Sequence, residues 1–455
     1  MKRSAWRYLW TARDIRRKLL ITIALMVLYR LVAHVPVPGV NRAALASILA
    51  GSSDTGGAAA STLVGLMDML SGGTVSNFSV LAMGVYPYIT AQIILQLLVP
   101  VIPALQKRME DDPREGQKWM EKWTYILAVP MAALQAIGQI RIFGSFAGTP
   151  IIDNFGFSGA NWLPSLAIIF SMTAGTMFAI WLGELISEYG IRNQGLSLLI
   201  FTGIVANIPT NFARLLNPQL YSDPNTRWWV LAVMILVTVG IIVVVVYVQQ
   251  GQRNVPVMYP GRRVGNRMSM PVKGTLPLRV NMAGMIPIIF AQSLLTFPAI
   301  IAGFFSSSKT IWVANVASWV QSNFGGNTNF YWLFYFFFVV GFTFFYTDII
   351  FSQQNYGENL KRSGAQIPGV SRGAPTQRYL TRVLRRITFP GALFLGFVAI
   401  MPFLVGLFLP LGNNRGILLV SSSGLLIVVG VVRDLFFNIN ADLKLHGYED
   451  TLLVR

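Results

Sequence analysis

The chain has 455 residues, of which 54% are hydrophobic and only 12% are charged, and its mean hydropathy is +0.55. Soluble globular domains carry about a quarter charged residues, so the composition excludes an ordinary soluble domain and predicts a polytopic membrane protein. Cysteine is absent, which excludes disulfides and thiolate metal sites. The net charge of +18 takes its meaning from where the basic residues lie.

Ten apolar runs are long enough to cross a bilayer, which takes about 20 helical residues. They lie at 19–38, 76–100, 123–142, 161–183, 195–216, 227–248, 280–304, 329–350, 387–410 and 416–437. Of the 36 Lys and Arg residues, 29 lie in the two tails and the even-numbered loops, and 6 lie in the odd-numbered loops. The positive-inside rule therefore places both termini and the even-numbered loops in the cytoplasm.

The stretch from Gly65 to Leu98 joins a short apolar segment to a span that carries polar residues. The short segment cannot cross a bilayer, and we expect Pro87 to break the span near its start. Broken backbone inside a membrane is tolerated only where protein or a water-filled cavity surrounds it. The pattern therefore predicts a segment that enters a cavity and a helix that lines it. The alternative is an external loop helix followed by an ordinary span.

Two long even-numbered loops are strongly basic. The loop between spans six and seven, 249–278, carries five basic residues and no acidic one, and the loop between spans eight and nine, 351–386, carries seven against Glu358. Such loops can attract anionic lipid, or they can dock an acidic cytosolic partner or RNA. Glycine and proline punctuate both loops, which favours ordered tips over floppy ones.

Polar residues and prolines occur inside several spans. We expect Asn207 and Pro209 to interrupt the fifth span, while Asn281, Pro287 and Gln292 lie in the seventh. Interhelical hydrogen bonding is the ordinary explanation for such polar groups. No span centre carries Asp, Glu, Lys or His, which argues against ion-coupled transport. Ten spans divide as five plus five, and this hints at an inverted repeat around a central pathway.

Three functions are open at this point: a channel, a solute transporter with an inverted repeat, and a membrane-embedded enzyme. A transporter needs a compact polar site at mid-membrane, whereas the sequence offers only scattered Gln and Asn. An enzyme is disfavoured because no zinc-protease, phosphate-loop or nucleophile-elbow pattern occurs. No cofactor or metal is predicted.

Recognisable stretches follow one another along nearly the whole chain. They include YRLVAHVPVPGVN at 29–41, LSGGTVSNFSVLAMGVYPYITAQIILQLL at 70–98, WLGELISEYGI at 181–191, GLSLLIFTGIVANIP at 195–209, LPLRVNMAGMIPIIFAQSLL at 276–295, ENLKRSGAQIPG at 358–369, TRVLRRIT at 381–388 and GLLIVVGVVRD at 424–434. In this order they resemble the SecY family, the channel subunits of the Sec protein translocase.

The resemblance implies an all-α polytopic membrane protein with ten transmembrane helices in two inverted five-helix halves around a central pore. Its parts would be an N-terminal half with the sixth helix at 1–248, the basic loop at 249–278, a C-terminal half at 279–437 that includes the basic loop at 351–386, and a cytoplasmic tail at 438–455. Its function would be to pass unfolded secretory polypeptides across the plasma (inner) membrane and to release apolar segments sideways into the bilayer, without enzymatic chemistry.

The resemblance also assigns roles to residues of this chain. A plug at about 62–73 would include Leu66, Met67, Met69, Leu70, Gly72 and Gly73. A pore ring would consist of Val85, Ile89, Ile200, Ile286, Leu294 and Ile427, all aliphatic, as closure by dewetting requires. A lateral gate between the second and seventh spans would include Thr90, Gln135 and Asn281.

The basic tips would dock cytosolic partners, either the motor ATPase SecA or the ribosome. The first tip would contribute Arg262, Arg263 and Arg267. At the second tip the family usually has I-P-G-I-R-P-G, whereas residues 367–373 of this chain are IPGVSRG, so the role passes to Arg372. The further partners implied are SecE-type and SecG-type small membrane subunits, preproteins that bear a signal sequence, and the lipid bilayer.

Overall fold

The structure is a computed structural model, and it describes thirteen ranges of the chain with gaps between them. They are residues 13–41, 78–147, 152, 155–156, 161–192, 194–215, 224–260, 263–264, 267–268, 272–305, 310–324, 328–408 and 422–445. The predicted plug, at about 62–73, lies outside the described residues.

Helices dominate the described residues, with four strands confined to one connection. The helices are α1 Arg13–Val32, α2 Tyr86–Val101, α3 Pro103–Asp111, α4 Pro113–Ala147, α5 Trp162–Tyr189, α6 Gly195–Leu215, α7 Pro224–Gln250, α8 Ile286–Phe305, α9 Ile311–Phe324, α10 Asn329–Gln353, α11 Tyr356–Arg362, α12 Ala374–Phe408 and α13 Ser422–Leu445. The strands are β1 Gln252–Tyr259, β2 Arg263–Val264, β3 Arg267–Met268 and β4 Val272–Arg279. Each of the ten predicted spans overlaps one helix, and α3, α9 and α11 lie between spans.

Six helical segments of the described residues are long and apolar enough to cross a membrane. They are Arg114–Arg141, Trp162–Tyr189, Leu231–Gln250, Asn329–Arg362, Ala374–Met401 and Gly424–Leu443. A seventh candidate is the pair Tyr86–Val99 and Pro103–Met109, whose axes are bent by 96°. Shorter apolar helical segments occupy Gly195–Pro209 and Ile286–Leu295.

The second span differs from the prediction at its start, because Pro87 begins a helix and does not break one. Proline lies in the first turn of α2, where its missing N–H removes no helical hydrogen bond. The preceding residues 78–85 form turns, and Gly84 adopts a positive φ of 52° within them. The seventh span is similar, since α8 begins at Ile286 and Pro287 falls in its first turn.

The predicted interruption of the fifth span by Asn207 and Pro209 is wrong. Helix α6 runs from Gly195 to Leu215 with Pro209 inside it. A proline removes one backbone hydrogen bond, and membrane-type helices tolerate this because neighbouring groups satisfy the freed carbonyl.

The described residues fall into two compact units. The first comprises Met1–Thr238, Ser293–Trp332 and Pro402–Arg455, and the second comprises Val239–Gln292 and Leu333–Met401.

In the first unit, the turns at 78–85 are held by backbone bonds and by close packing. Val37 N–H donates to the Phe78 carbonyl at 3.1 Å, and Val80 N–H donates to the Val35 carbonyl at 2.9 Å. Phe78 is fully buried in a cluster with Met172 of α5. A Cβ added at Gly175 would lie 2.1 Å from the Val80 carbonyl oxygen, so glycine lets α5 approach this irregular backbone.

In the second unit, β1 and β4 form an antiparallel hairpin that the sequence analysis did not predict. The register pairs Gln252 with Arg279 at one end and Tyr259 with Val272 at the other. Val255 and Val257 on β1 are 3% and 2% exposed, and they pack with residues of α11 and α12. Strands β1 and β4 of the basic 6/7 loop therefore form a ribbon with one buried face.

Candidate functional site

Two of the predicted gate residues meet directly in the first unit. Gln135 Nε2 on α4 donates to Thr90 Oγ1 on α2 at 3.2 Å, and Thr90 Oγ1 donates to the Pro87 carbonyl at 2.9 Å. Both side chains are buried, at 5% and 8% exposure. Ala91 and Ala128 are fully buried at the same helix pair, and such small residues allow two helices to approach closely.

This polar contact is only half satisfied. The Oε1 atom of Gln135 is buried and has no hydrogen-bond partner among the described residues. A buried amide oxygen without a partner costs about 1–3 kcal/mol, which offsets the gain from the bond that the amide nitrogen makes. The polar contact between α2 and α4 therefore contributes little net free energy, and the apolar cluster around Ala91 and Ala128 holds the two helices together.

Asn281, the third predicted gate residue, makes local hydrogen bonds in the second unit. Its Oδ1 accepts from the Gly284 N–H at 2.9 Å, and its Nδ2 donates to the Gly284 carbonyl at 3.1 Å. Gly284 has a positive φ of 65°. Asn281 thus fixes the turn that leads into α8, as Asn side chains commonly do in turns.

The predicted pore-ring residues lie on helices or at helix starts, and they differ in burial. Val85 caps α2 and is 1% exposed, whereas Leu294 on α8 is 42% exposed. The other members are Ile89 and Ile286, which are half-buried, and Ile200 and Ile427, which are buried. Their convergence on one constriction stays a prediction.

The two basic loops are joined in the second unit. Met258 of β1 and Gln366 of the 8/9 loop exchange backbone hydrogen bonds of 2.8 and 2.9 Å. Beneath this bridge, Val255, Val257 and Leu278 of the hairpin pack with Leu360 and Ile367 of the 8/9 loop in one buried cluster. The hairpin and the 8/9 loop are therefore one ordered surface.

Gln366 also holds the predicted docking residue Arg372. The Nε of Arg372 donates to the Gln366 side-chain carbonyl at 3.2 Å, and the arginine itself is exposed. Gly369 and Gly373 have positive φ angles of 78° and 87°, which glycine adopts without steric cost and which shape the tip between them. Of the first tip, Arg263 and Arg267 lie in the short β2–β3 pair, and Arg262 lies outside the described residues.

The sequence analysis missed Gln366 and the hairpin, although a signal for the hairpin is present. Val255 and Val257, like Leu276 and Leu278, are apolar residues at a spacing of two, which is the period of a strand with one buried face. No comparable signal marks Gln366, because its role depends on a backbone partner that is distant in sequence.

Within the described ranges, no group of three His, Cys, Asp or Glu side chains could hold a metal ion.

Solved structures of similar fold define the class of this protein. A structure of a protein-conducting channel matches with a TM-score of 0.61 at 16% identity, covering 95% of this chain and 94% of that one. A second, which concerns the plug domain of the SecY protein and the closed state of the translocation channel, matches with a TM-score of 0.62 at 17% identity and the same coverage. The likeness confirms the predicted class, a polytopic protein with ten transmembrane helices in two inverted halves around a central pore.

The family follows from sequence. The SecY family model matches residues 79–436. The protein translocase subunit SecY of Streptomyces scabiei is 37% identical over 443 residues, covering 96% of this chain and 97% of the relative. The corresponding subunit of Aquifex aeolicus strain VF5 is 36% identical over 446 residues, covering 97% of both chains. This chain belongs to the SecY family, a family of channels, so the prediction that it is not an enzyme is confirmed.

The joined loops give a testable prediction. Gln366→Pro removes the N–H that donates to the Met258 carbonyl, so one of the two bridging bonds is lost. A backbone hydrogen bond contributes about 1 kcal/mol, and we expect the Met258 amide to exchange its hydrogen about fivefold faster in the full-length protein. Gln366→Ala keeps both backbone bonds and is the matched control. Equal exchange rates in the two variants would show that the bridge does not hold the loops together.

Proposed function

We propose that this chain is the protein-conducting channel of a plasma-membrane translocase. It passes unfolded secretory polypeptides outward and releases apolar segments laterally into the bilayer. Membership of the SecY family, along 96% of the chain in the Streptomyces scabiei match, is the observation that carries the proposal. The chain performs no chemistry itself, so the energy comes from a partner or from the proton-motive force.

The pore ring closes the resting channel through its aliphatic side chains. Val85, Ile89, Ile200, Ile286, Leu294 and Ile427 are all aliphatic, and a constriction of such residues excludes water and ions by dewetting. Because aliphatic side chains make no directional bonds, they also fit around a passing chain of any sequence. The plug at about 62–73 would seal the outer side of this constriction.

Thr90, Gln135 and Asn281 serve as the polar part of the lateral gate. The buried Oε1 of Gln135 supports this role, because it has no partner among the described residues and remains available to a polar group across the gate. An apolar signal helix enters the gate as it partitions toward lipid, and it takes the place of the contacts between the polar groups.

The joined basic loops receive the cytosolic partner, which is SecA or the ribosome. Arg372, which is exposed and donates to the Gln366 side chain, and Arg262, Arg263 and Arg267 of the 6/7 loop provide the positive charge. SecE-type and SecG-type subunits complete the translocase in the membrane. Both termini lie in the cytoplasm, which the distribution of Lys and Arg supports.

Reconstitution tests the proposal as a whole. The chain is purified with its SecE-type partner, placed in liposomes and supplied with SecA, ATP and a preprotein that bears a signal sequence. We expect preprotein to become protected from protease only when ATP and an intact signal are present. If a solute gradient instead drives uptake of small molecules without preprotein protection, the chain is a transporter and the channel proposal fails.

Replacing a pore-ring residue should make the resting channel leak. We expect Ile89→Ser to raise the ion conductance of the closed protein in planar bilayers, because a hydroxyl in the constriction favours water entry. Ile94→Ser on the same helix is the matched control, since Ile94 is 38% exposed and is not assigned to the ring. Conductance equal to that of the parent protein would remove Ile89 from the ring.

Removing the polar side chain of Gln135 from the gate should let preproteins with weaker signal sequences be translocated. Gln135→Leu removes the donor to Thr90 together with the unpartnered oxygen, so we expect more translocation of preproteins with weakened signals in the same liposome assay. Gln139→Leu is the control, because Gln139 is buried one turn further along α4 and its amide has no partner among the described residues. An equal increase in translocation in both variants would point to a general effect of removing buried amides and would contradict a gate role for Gln135.

A further inference from the structure

A cavity of about 720 Å³ that is largely open to the surface lies along α12 in the second unit, with one residue of α10 at its side. Phe344 of α10 lines one side of this cavity. The α12 side carries four arginines and an aromatic ring: Arg378, Arg382, Arg385, Arg386 and Phe389. All five of these α12 side chains are exposed.

The arginines form one basic stripe along α12. Residues 378, 382, 385 or 386, and 389 are spaced by three or four, so they share one face of the helix. At about 1.5 Å per residue, the stripe is about 16 Å long from Arg378 to Phe389. A soluble salt-bridged helix would alternate basic with acidic residues, whereas this face carries no acidic residue of its own.

One exposed ion pair joins α10 to α12 beside the cavity and leaves most of the cavity's charge uncompensated. Both oxygens of Asp348 on α10 accept from Arg385, at 3.0 Å from Nη2 and 3.4 Å from Nε. No salt bridge of the described residues involves Arg378, Arg382 or Arg386. These three arginines therefore give the cavity a net charge of about +3.

The apolar end of the cavity lies where α12 enters its membrane span, which the sequence places at 387–410. The rings of Phe344 and Phe389 approach to 6.5 Å there, and Phe389 is 56% exposed. Positive charge thus lies on the cytoplasmic side and aromatic surface lies on the membrane side. A lipid has the same order of groups, with its phosphate above its acyl chains.

We infer that this cavity binds the phosphate headgroup of an anionic phospholipid from the cytoplasmic leaflet. Arg382 and Arg386 contact the phosphate, because guanidinium groups match phosphate oxygens in pairs. The acyl chains lie against Phe344 and Phe389. Basic cavities between transmembrane helices on the cytoplasmic side are suited to such headgroups. The aromatic end of the cavity favours a lipid over a soluble anion, because a soluble anion has no apolar part to contact these rings.

The test compares lipid binding to the full chain, purified with its small membrane subunits, by native mass spectrometry. Equal amounts of phosphatidylglycerol and phosphatidylcholine are offered. Each basic residue near an anionic surface contributes about a fivefold gain in binding, so we expect Arg382→Gln with Arg386→Gln to lower the preference for phosphatidylglycerol by about tenfold or more. Arg114→Gln with Lys118→Gln removes the same charge from the exposed start of α4 and should keep the preference.

Three outcomes would overturn the inference. An equal loss in both double variants would mean that only total charge matters. Displacement of phosphatidylglycerol by excess inorganic phosphate would mean that the cavity takes a free anion. A photoreactive residue at Thr381, which lines the cavity, should crosslink to lipid, and a crosslink to a protein subunit would assign the cavity to that subunit.

A folding defect would not obscure the result. Thermal unfolding in phosphatidylcholine alone should be the same for the parent and both double variants. If Arg382→Gln with Arg386→Gln unfolds early, Arg382→Lys with Arg386→Lys takes its place, because it keeps the charge and loses the paired hydrogen bonds. We expect the preference of this Lys double variant for phosphatidylglycerol to be lower than that of the parent. A preference equal to the parent's would overturn the proposed phosphate contacts.

Discussion

The need to satisfy backbone hydrogen bonds where water is absent constrains this molecule more than any other interaction. Each unpaired N–H or C=O group in hydrocarbon costs several kcal/mol. Helices satisfy these groups internally, which is why they dominate the described residues. The irregular stretch at 78–85 meets the same requirement through its backbone bonds to Val35 and Val37 and through burial against α5. Irregular backbone is thus possible there because other parts of the chain supply its partners.

The same scarcity of water means that the few polar side chains inside the spans must find hydrogen-bond partners within the protein. A polar group with all its hydrogen bonds made would hold two helices strongly in one orientation. An apolar pair would set no particular orientation, because apolar contacts are not directional. Gln135 and Thr90 lie between these cases, because one bond is made and one buried oxygen has no partner among the described residues. A contact of this kind specifies which faces of α2 and α4 meet while contributing little net free energy.

Charge is segregated outside the spans, and the structure divides it between two kinds of surface. On the joined hairpin and 8/9 loop, basic residues stand on an ordered ribbon with a buried apolar face, and Gln366 orients Arg372. Further along the chain, the arginines of α12 border a cavity whose other end is aromatic. The basic residues of the two surfaces therefore differ in their surroundings, which are an apolar cluster and a backbone bridge in one case and two aromatic rings in the other.

The sequence by itself determined the membrane class, the ten spans and the family, because hydropathy and short motifs are properties of contiguous residues. It could not determine that Pro87 begins a helix or that α6 continues through Pro209, since both depend on which neighbouring groups satisfy the backbone. Only the tertiary structure paired Thr90 with Gln135, 45 residues apart, and Met258 with Gln366. These contacts arise when packing brings distant residues within hydrogen-bonding distance, and the local sequence of either partner carries no record of the other.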